Sequence, residues 1–570
     1  MIIATTLLTT LISATSVTIT QPVDGETYEG DWLMLKAIVE NENEIPDSVH
    51  YELNGNGPVL VPRLNTDWPT YMQNYQNHGY SESPAPMDST VLWTAPVTGD
   101  FHEFPTPVVV DGIVYYNEDG GGSGEYLYAL DAATGEVLWQ YNTGYADDAV
   151  TVSDGMVYDA ADSIFCLDAY SGDKIWASGM AGAGGSTPIV ESGKVYCGIF
   201  RIYESGYDDS SRVCCLDASD GSVVWADTIF GNQASCLGWS EGTLYLATLE
   251  GPLYAMDGAT GSIIWENSDA VPGYWDSSPV VKDGYIYIGD NDGVMRAVDV
   301  NDGTTVWENS FSPGLYIAAT PVLHGGRVYL ADQSSSYHCI NSLTGNDIWT
   351  VPGVQHGSSG MAQDVIFYGE TGSSPDSTAG VFALDRENGS TIWSREIPCS
   401  IMGFQSSPSI TDGVMYYACT DGNLYAFGTG LKYTYREEYF YADVGSNELI
   451  VTSYDGGTAV AADTINFTVT QQGVMVDPAN RLDLSARPNP SSSISSISFT
   501  LAGSSMTSVI IYDLFGRVVS VLSDAEMSAG PHELIWDGKD DNGEPVSTGL
   551  YLCRVRTPDA TETTGICMLR

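Results

Sequence analysis

Side chains that could bind a ligand recur in short segments between predicted β-strands. They combine aromatic rings with carboxylates, imidazoles and an amide, which could stack on or hydrogen-bond a sugar, a peptide or a cation. An alternative interpretation, which we favour, is that they only fill and solvate the mouth of a channel. The residues concerned are His102, Glu103, Asp147, Asp148, Tyr274, Trp275, Asp276, Tyr316, His356 and Gln405.

The sequence lacks the common catalytic signatures. It contains no H-E-x-x-H, G-x-S-x-G or Walker motif, and its seven His residues show no metal-ligand spacing. The adjacent Cys214 and Cys215 align with Tyr128 and Ala129 of another repeat, which places them within a strand and not in a ligand-binding loop. We therefore expect no catalytic residue, no metal ion and no cofactor.

The elements that position these segments repeat along the chain. The spacing Asp, three residues, Gly, three residues, Trp occurs six times, and a seventh copy begins with Asn341. Asp or Asn can bond the backbone of a turn, Gly can adopt positive φ, and the indole can pack between sheets. Each copy follows three short strands, so one unit predicts a four-stranded propeller blade. The tryptophans of these copies are Trp139, Trp176, Trp225, Trp265, Trp307, Trp349 and Trp393.

The two ends of the repeat array complement each other. An eighth unit runs from Pro408 to Phe427 without a Trp strand, whereas an unaccompanied strand, Val91–Trp93, precedes the first unit. Placing the strand of Trp93 in the last blade closes the ring and removes an open sheet edge. The predicted fold is all-β, with an eight-bladed β-propeller plus Ig-like β-sandwich domains.

These motifs, with the lead-in Asp67–Tyr71, resemble the pyrroloquinoline-quinone (PQQ)-like, or quinoprotein-type, propeller family. That resemblance implies the fold but leaves three functions open. The family includes dehydrogenases that hold PQQ and calcium in the central funnel, an assembly factor for outer-membrane proteins, and exported proteins without known chemistry. We expect a non-catalytic binding or scaffolding protein, with a PQQ-dependent dehydrogenase and an assembly factor as alternatives.

The segments that flank the predicted propeller resemble two Ig-like domains. Gln21–Gly25 and Tyr51–Gly55 are similar to the first half of a bacterial Ig-like domain, and 447–452 and 463–469 are similar to its last strands. We therefore predict one Ig-like domain, 17–66 with 431–476, into which the propeller, 67–430, is inserted. The alternative is two separate β segments packed on the propeller.

The C-terminal region, 494–570, follows a linker at 477–493 and is predicted to be a small β-sandwich. Trp536–Gly538 and Gly549–Tyr551 resemble FlgD-like Ig domains and the sorting domain of type IX secretion. The resemblance implies recognition by export machinery. Cys553 and Cys567 could face each other across a terminal hairpin, which leaves a disulfide open.

Composition and the N-terminus bear on location and partners. Residues 1–16 are apolar and end in small residues, as in a signal peptide. The formal charge of −54 argues against binding nucleic acid or an anionic membrane surface. No apolar run of membrane-spanning length follows the N-terminus. We expect a secreted or cell-surface protein of a diderm bacterium that binds an unidentified protein, peptide or glycan.

Overall fold

The described part of the chain is built from β-strands. The computed structural model describes residues 16–23, 27–29, 32–41, 48–54, 59–61, 63–96, 105–118, 126–144, 146, 148–181, 186–199, 210–231, 235–249, 252–269, 273–274, 277–311, 315–332, 336–352, 357–370, 378–398, 404, 406–441, 445–455, 458–470, 485–487, 495–501, 505–512, 518–528, 530–539, 546, 549–557 and 561–568. No helix able to cross a membrane occurs in these ranges. Seven strands precede the first complete blade: β1 (Ser16–Gln21), β2 (Thr27–Glu29), β3 (Trp32–Asn41), β4 (Ser48–Leu53), β5 (Val59–Val61), β6 (Tyr80–Ser81) and β7 (Val91–Pro96).

Seven consecutive blades of four antiparallel strands follow, and in the seventh β6 adds a fifth strand, parallel to the inner strand. In every blade a three-residue inner strand leads through a tight turn into two buried strands and an outer strand that carries the repeat Trp. Blades 1 to 4 are β8 (Val108–Val110), β9 (Ile113–Asn117), β10 (Tyr126–Asp131), β11 (Val137–Asn142); β12 (Thr151–Ser153), β13 (Met156–Ala160), β14 (Ser163–Asp168), β15 (Lys174–Ala181); β16 (Ile189–Glu191), β17 (Lys194–Ile199), β18 (Ser210–Asp217), β19 (Val223–Phe230); and β20 (Gly238–Ser240), β21 (Thr243–Ala247), β22 (Leu253–Asp257), β23 (Ile263–Asn267).

Blades 5 to 7 have the same order of strands, which confirms the repeat read from the sequence. They are β24 (Val280–Lys282), β25 (Tyr285–Gly289), β26 (Val294–Asp299), β27 (Thr305–Ser310); β28 (Val322–His324), β29 (Arg327–Asp332), β30 (Ser336–Asn341), β31 (Asp347–Pro352); and β32 (Gly360–Ala362), β33 (Val365–Gly369), β34 (Thr378–Asp385), β35 (Thr391–Pro398).

The eighth blade closes the ring. It contains β36 (Ser409–Thr411), β37 (Val414–Cys419) and β38 (Asn423–Phe427), and its outer strand is β7 from the other end of the array. Trp93 pairs with Ala426, as the repeat tryptophans pair with Ala or Cys in blades 1 to 7. The predicted eight-bladed ring with a closing N-terminal strand is therefore confirmed.

Strands from both sides of the propeller pair with each other. After blade 8 the chain forms β39 (Leu431–Tyr441), β40 (Gly445–Asp455) and β41 (Thr458–Thr470). One sheet has the order β1–β3–β39, and another contains β41–β40–β4–β5, with β2 parallel to the end of β41. The sequence did not predict β39, which pairs with β3 along most of its length.

The C-terminal strands form their own sheets and core. They are β42 (Ser485–Arg487), β43 (Ser495–Leu501), β44 (Ser505–Tyr512), β45 (Val518–Met527), β46 (Gly530–Trp536), β47 (Gly549–Arg556) and β48 (Thr561–Met568). Ile497, Val509, Trp536 and Cys553 are among the buried residues of this core. Cys553 has no disulfide and lies opposite Thr564, while Cys567 lies opposite Leu550. The two cysteines therefore do not face each other across the hairpin.

Candidate functional site

A segment that precedes the blades, 64–83, follows the inner strands around the propeller and fills the end of its axis. Trp68 exchanges two backbone hydrogen bonds with Val109 of blade 1, at 2.8 and 2.9 Å. The carbonyl of Pro69 accepts a bond from Val152 N–H of blade 2 at 2.8 Å. We call residues 64–83 the axial segment.

The axial segment continues in the same way past blades 4 to 7. Four of its carbonyls accept bonds of 2.7 to 3.1 Å from the backbone N–H at the second position of successive inner strands. Because the inner strand of a blade has one unpaired edge, these bonds satisfy donors that would otherwise be buried without partners. The pairs are Trp239 with Tyr75, Val281 with Gln76, Leu323 with His78, and Met361 with Gly79.

A belt of hydroxyls surrounds the axis at the start of the inner strands. The backbone N–H of Ser278 donates to Thr320 Oγ1 at 2.9 Å, and that of Thr320 donates to Ser358 Oγ at 2.9 Å. The same bond links blade 8 to blade 1, from Ser407 N–H to Thr106 Oγ1 at 3.2 Å. Each bond joins neighbouring blades, so the belt holds the ring together. Its hydroxyl residues are Thr106, Thr187, Ser278, Thr320, Ser358 and Ser407.

Tyr71 connects the axial segment to this belt. Its hydroxyl donates to Thr320 Oγ1 at 2.9 Å and lies 3.4 Å from Ser358 Oγ. Burial raises the pKa of Tyr71 to about 12, with a further contribution from Cys236. Tyr71 is therefore a neutral phenol at physiological pH, and its main role is to tie the segment to blades 6 and 7.

Two further polar groups lie on the belt. Cys236 Sγ is 3.5 Å from Asp148 Oδ2 and 3.4 Å from Thr187 Oγ1. Burial and the Asp148 carboxylate raise the pKa of the Cys236 thiol well above its usual range. A thiol that remains protonated is a poor nucleophile, so this arrangement favours a structural role for Cys236.

The structure places three of the residues that the sequence nominated as ligand-binding. Asp148 lies at the belt, as described, and Tyr316 is partly exposed next to blade 6. Tyr274 is fully buried with Tyr245 and Ile288 between blades 4 and 5, so its ring forms part of the core and not a binding surface. The others lie outside the described residues: His102, Glu103, Asp147, Trp275, Asp276, His356 and Gln405.

Sequence reasoning missed the belt and the role of Tyr71. A signal was present, because Ser or Thr stands directly before Pro at the start of several inner strands, as at Thr106, Thr187, Ser278, Thr320 and Ser407. This pattern gives a hydroxyl at one repeat position but does not say that the hydroxyl bonds to the neighbouring blade.

Comparison with known proteins agrees with this geometry. A family model described as outer membrane protein assembly factor BamB matches residues 86–160, 123–226, 160–395 and 338–480. Together the matches cover more than half of the chain. The chain belongs to this PQQ-repeat family. A second model, the FlgD Ig-like domain, matches residues 489–560.

Two curated proteins are similar to parts of the propeller. The assembly factor BamB of Salmonella typhimurium is 29% identical over 120 residues, which are 18% of this chain and 30% of that protein. Quinohemoprotein alcohol dehydrogenase of Comamonas testosteroni is 28% identical over 152 residues, which are 23% of this chain and 21% of that protein. The chain spans less than a third of the length of either relative.

Solved structures show the shared fold. A europium-containing methanol dehydrogenase superimposes with a TM-score of 0.52 at 14% identity, covering 64% of this chain and 98% of that one. Quinohemoprotein alcohol dehydrogenase from Comamonas testosteroni has a TM-score of 0.50 at 17% identity, covering 67% of this chain and 82% of that one.

The described axial residues do not fit the quinone that this fold binds in dehydrogenases. PQQ carries three carboxylates, which bind most strongly to cationic donors such as Arg. The belt instead combines neutral hydroxyls with the carboxylate of Asp148, and the belt residues include no Lys or Arg. Within the described ranges no group of three or more His, Cys, Asp or Glu side chains could hold a metal ion.

Proposed function

We propose that this chain is an exported, non-catalytic binding or scaffolding protein that acts at the cell surface. The proposal rests on the axial segment. Its backbone pairs with the inner strands of the blades, along the edge that would otherwise have no partner. A channel filled by the chain's own backbone offers partners its rim and faces. A protein, a peptide or a glycan is the class of partner such a surface fits.

The chemistry of the axis supports a role without catalysis. The hydroxyls of Thr106, Thr320 and Ser358 accept bonds from the backbone of neighbouring blades, which gives them a structural role. The pKa values of Tyr71 and Cys236 are raised, so neither group is poised to act as a base or nucleophile near neutral pH.

Export is supported by the C-terminal match and by charge. The FlgD Ig-like match at 489–560, the leader-like residues 1–16 and the net charge of −54 are all in keeping with a folded protein outside the cytoplasm. We propose that 494–570 is the sorting domain read by export machinery. The pairing of β3 with β39 and of β4 with β40 supports an Ig-like domain, 17–66 with 431–476, that carries the propeller as an insertion.

A quinone-binding experiment tests the absence of catalysis. The purified full chain is mixed with PQQ and Ca²⁺, desalted, and examined by absorbance and by dye-linked oxidation of ethanol, with a quinoprotein dehydrogenase as the positive control. We expect neither a retained quinone spectrum nor oxidation. Stoichiometric quinone with alcohol-dependent dye reduction would show that the chain is a dehydrogenase.

A truncation tests export. In a host with type IX secretion, removal of residues 488–570 is expected to retain the protein in the periplasm, while the full chain reaches the surface. A matched control replaces this region with an unrelated folded domain of similar size. Equal surface display of all three proteins would contradict the sorting role.

A second candidate function is assembly of outer-membrane proteins. The matching family model favours it, because that model is described as an outer membrane protein assembly factor. The two candidates differ in location. Cell fractionation of the full chain decides between them, since an assembly factor remains in the periplasm with outer-membrane proteins, whereas an exported scaffold leaves it.

A further inference from the structure

A pocket of about 470 Å³ opens between blades 1 and 2. It lies at the end of the inner strands opposite the hydroxyl belt, where β8 and β12 turn into the next strands at Asp111 and Asp154. The axial segment forms another wall through Asn65, Asp67 and Gln73. A volume of this size is typical of small-molecule sites.

The lining mixes acceptors, donors and aromatic surface. Asp67, Asp111 and Asp154 contribute carboxylates, and Asn65 and Gln73 contribute amides that can donate and accept. None of the described residues in the lining is Lys, Arg or His. The carboxylates come from the axial segment and from the turns after β8 and β12, and no described group of three could share a metal ion. Acceptors on several walls suit a ligand that has several hydroxyl groups.

Tyr170 is the feature of this pocket that the repeat does not explain. It stands in the turn after β14, is 58% exposed, and its hydroxyl donates to Asp111 Oδ2 of the neighbouring blade at 2.9 Å. A second tyrosine of the lining, Tyr115, is buried and bonds to the Ala169 carbonyl, so it serves as wall. The residues that occupy the position of Tyr170 in the other six repeat turns are Ala133, Ser219, Ala259, Asn301, Leu343 and Glu387.

An exposed aromatic ring held beside carboxylates and amides is a recognition surface for carbohydrate. The apolar face of a sugar ring can pack on an aromatic ring, while its hydroxyls donate to carboxylates and exchange bonds with amides. We propose that this pocket binds one sugar unit of a glycan, with Tyr170 stacking on the ring and Asp67, Asp111 and Asp154 accepting bonds from its hydroxyls. This site shares a wall with the axial segment but lies at the end of the inner strands opposite the hydroxyl belt, and it goes beyond the proposed scaffolding role.

The electrostatics of the pocket agree with an uncharged polar ligand at neutral pH. Burial, with the nearby Asp111 and Asp412, raises the pKa of Asp67 to about 6. Above that pH the Asp67 carboxylate acts only as an acceptor. A lining with three Asp residues and no described Lys, Arg or His would repel an anionic sugar, so neutral hexoses and N-acetylhexosamines are the expected class.

Saturation-transfer NMR on the full chain at pH 7.5 tests the site with glucose, galactose, mannose, N-acetylglucosamine and sialic acid. We expect transfer to at least one neutral sugar and none to sialic acid. Tyr170→Ala should weaken binding about tenfold, which corresponds to one aromatic contact of about 1.4 kcal/mol. Tyr170→Phe should retain most of the affinity, because it keeps the ring.

Leu343→Ala is the matched control, because Leu343 occupies the same turn position in another blade and is 66% exposed. It should leave binding unchanged, and melting curves of all variants should superimpose. The assignment is overturned if no neutral sugar shows transfer, or if Tyr170→Ala binds sugar as well as Leu343→Ala does. It is also overturned if putrescine, a cationic diamine tested in parallel, binds in the pocket while the sugars do not.

Discussion

Trp139 of blade 1 covers Gly172 of blade 2, and its indole N–H donates to the Ala169 carbonyl at 2.9 Å. A Cβ on Gly172 would lie 2.7 Å from the ring. The same contact joins Trp93 to Gly135 and continues around the ring to Gly389. Trp393 ends the series differently, because its N–H bonds to the Pro86 carbonyl of the chain that precedes β7. The Gly and the Trp of the motif therefore act between neighbouring blades.

Replacement of Gly172 by Ala should destabilise the propeller through both strain and overlap. Gly172 has φ +72°, which costs an L-residue about 1 kcal/mol, and overlap with Trp139 adds about 2 kcal/mol. Gly112→Ala is the control, because Gly112 has φ +75° but open space around its Cβ position. Urea unfolding followed by Trp fluorescence should show the larger loss for Gly172→Ala. Equal losses would mean that the indole contact contributes nothing.

Arg63 and Asp412 form an ion pair, and their contributions to the free energy of unfolding should be strongly coupled. Its Nη2–Oδ2 distance is 2.6 Å, Asp412 is buried, and the guanidinium also lies 4.7 Å from the centre of the Tyr433 ring. A double-mutant cycle with Arg63→Met and Asp412→Asn is expected to give about 2 kcal/mol of coupling in the free energy of unfolding.

The pair Lys194–Asp217 is the control for that cycle. It is equally short, 2.7 Å, but both side chains are about one-third exposed. Because solvent screens exposed pairs, a cycle with Lys194→Met and Asp217→Asn should give a much smaller coupling than the Arg63–Asp412 cycle. Similar coupling in the two cycles would show that burial does not strengthen the Arg63 pair.

Stability should fall as the pH rises through the titration of Asp159. This carboxyl is buried, accepts a bond from Asn117 Nδ2 at 3.0 Å, and burial raises its pKa to about 6. Between its ordinary pKa of 3.8 and about 6 the folded state holds a proton that the unfolded state has lost, so folding is favoured at the acidic end of this window.

Asp159→Asn should flatten this dependence between pH 4 and pH 6.5. Urea midpoints measured at high salt, which screens the general negative charge, provide the test. Asp173→Asn, at an exposed carboxylate in the same blade, is the control and should keep the wild-type slope. A wild-type slope in Asp159→Asn would assign the dependence to other groups.

The adjacent thiols of Cys214 and Cys215 should be unreactive in the folded protein. They lie on opposite faces of β18, with Cys214 in the core near Trp176 and Cys215 in the core near Trp225. Burial raises the pKa of Cys214 to about 12 and also raises that of Cys215. Iodoacetamide should modify neither before unfolding in urea and both afterwards, as read by peptide mass spectrometry. A Cys214–Cys215 peptide lighter by two hydrogens would contradict the prediction.

Much of the fold was accessible from the sequence because its signals are local. The turn Asp131–Gly135 shows this, since Asp131 Oδ1 accepts bonds from the next residues and Gly135 has φ +73° within one short loop. A spacing repeated seven times then predicted the blades, and Trp93 without its own unit predicted how the ring closes. Strand β39 was missed because its partner, β3, lies before the whole propeller.

The sequence by itself determined the repeating blade, the number of blades and the strand that closes them, because these depend on turn chemistry and alternating burial within about 40 residues. Only the tertiary structure decided what fills the axis and where a pocket opens. Tyr71 donates a hydrogen bond to Thr320, and Asp67 and Tyr170 line the same pocket, although these residues are far apart in the chain. Such contacts depend on how the closed ring brings distant segments together, so a local sequence pattern cannot predict them.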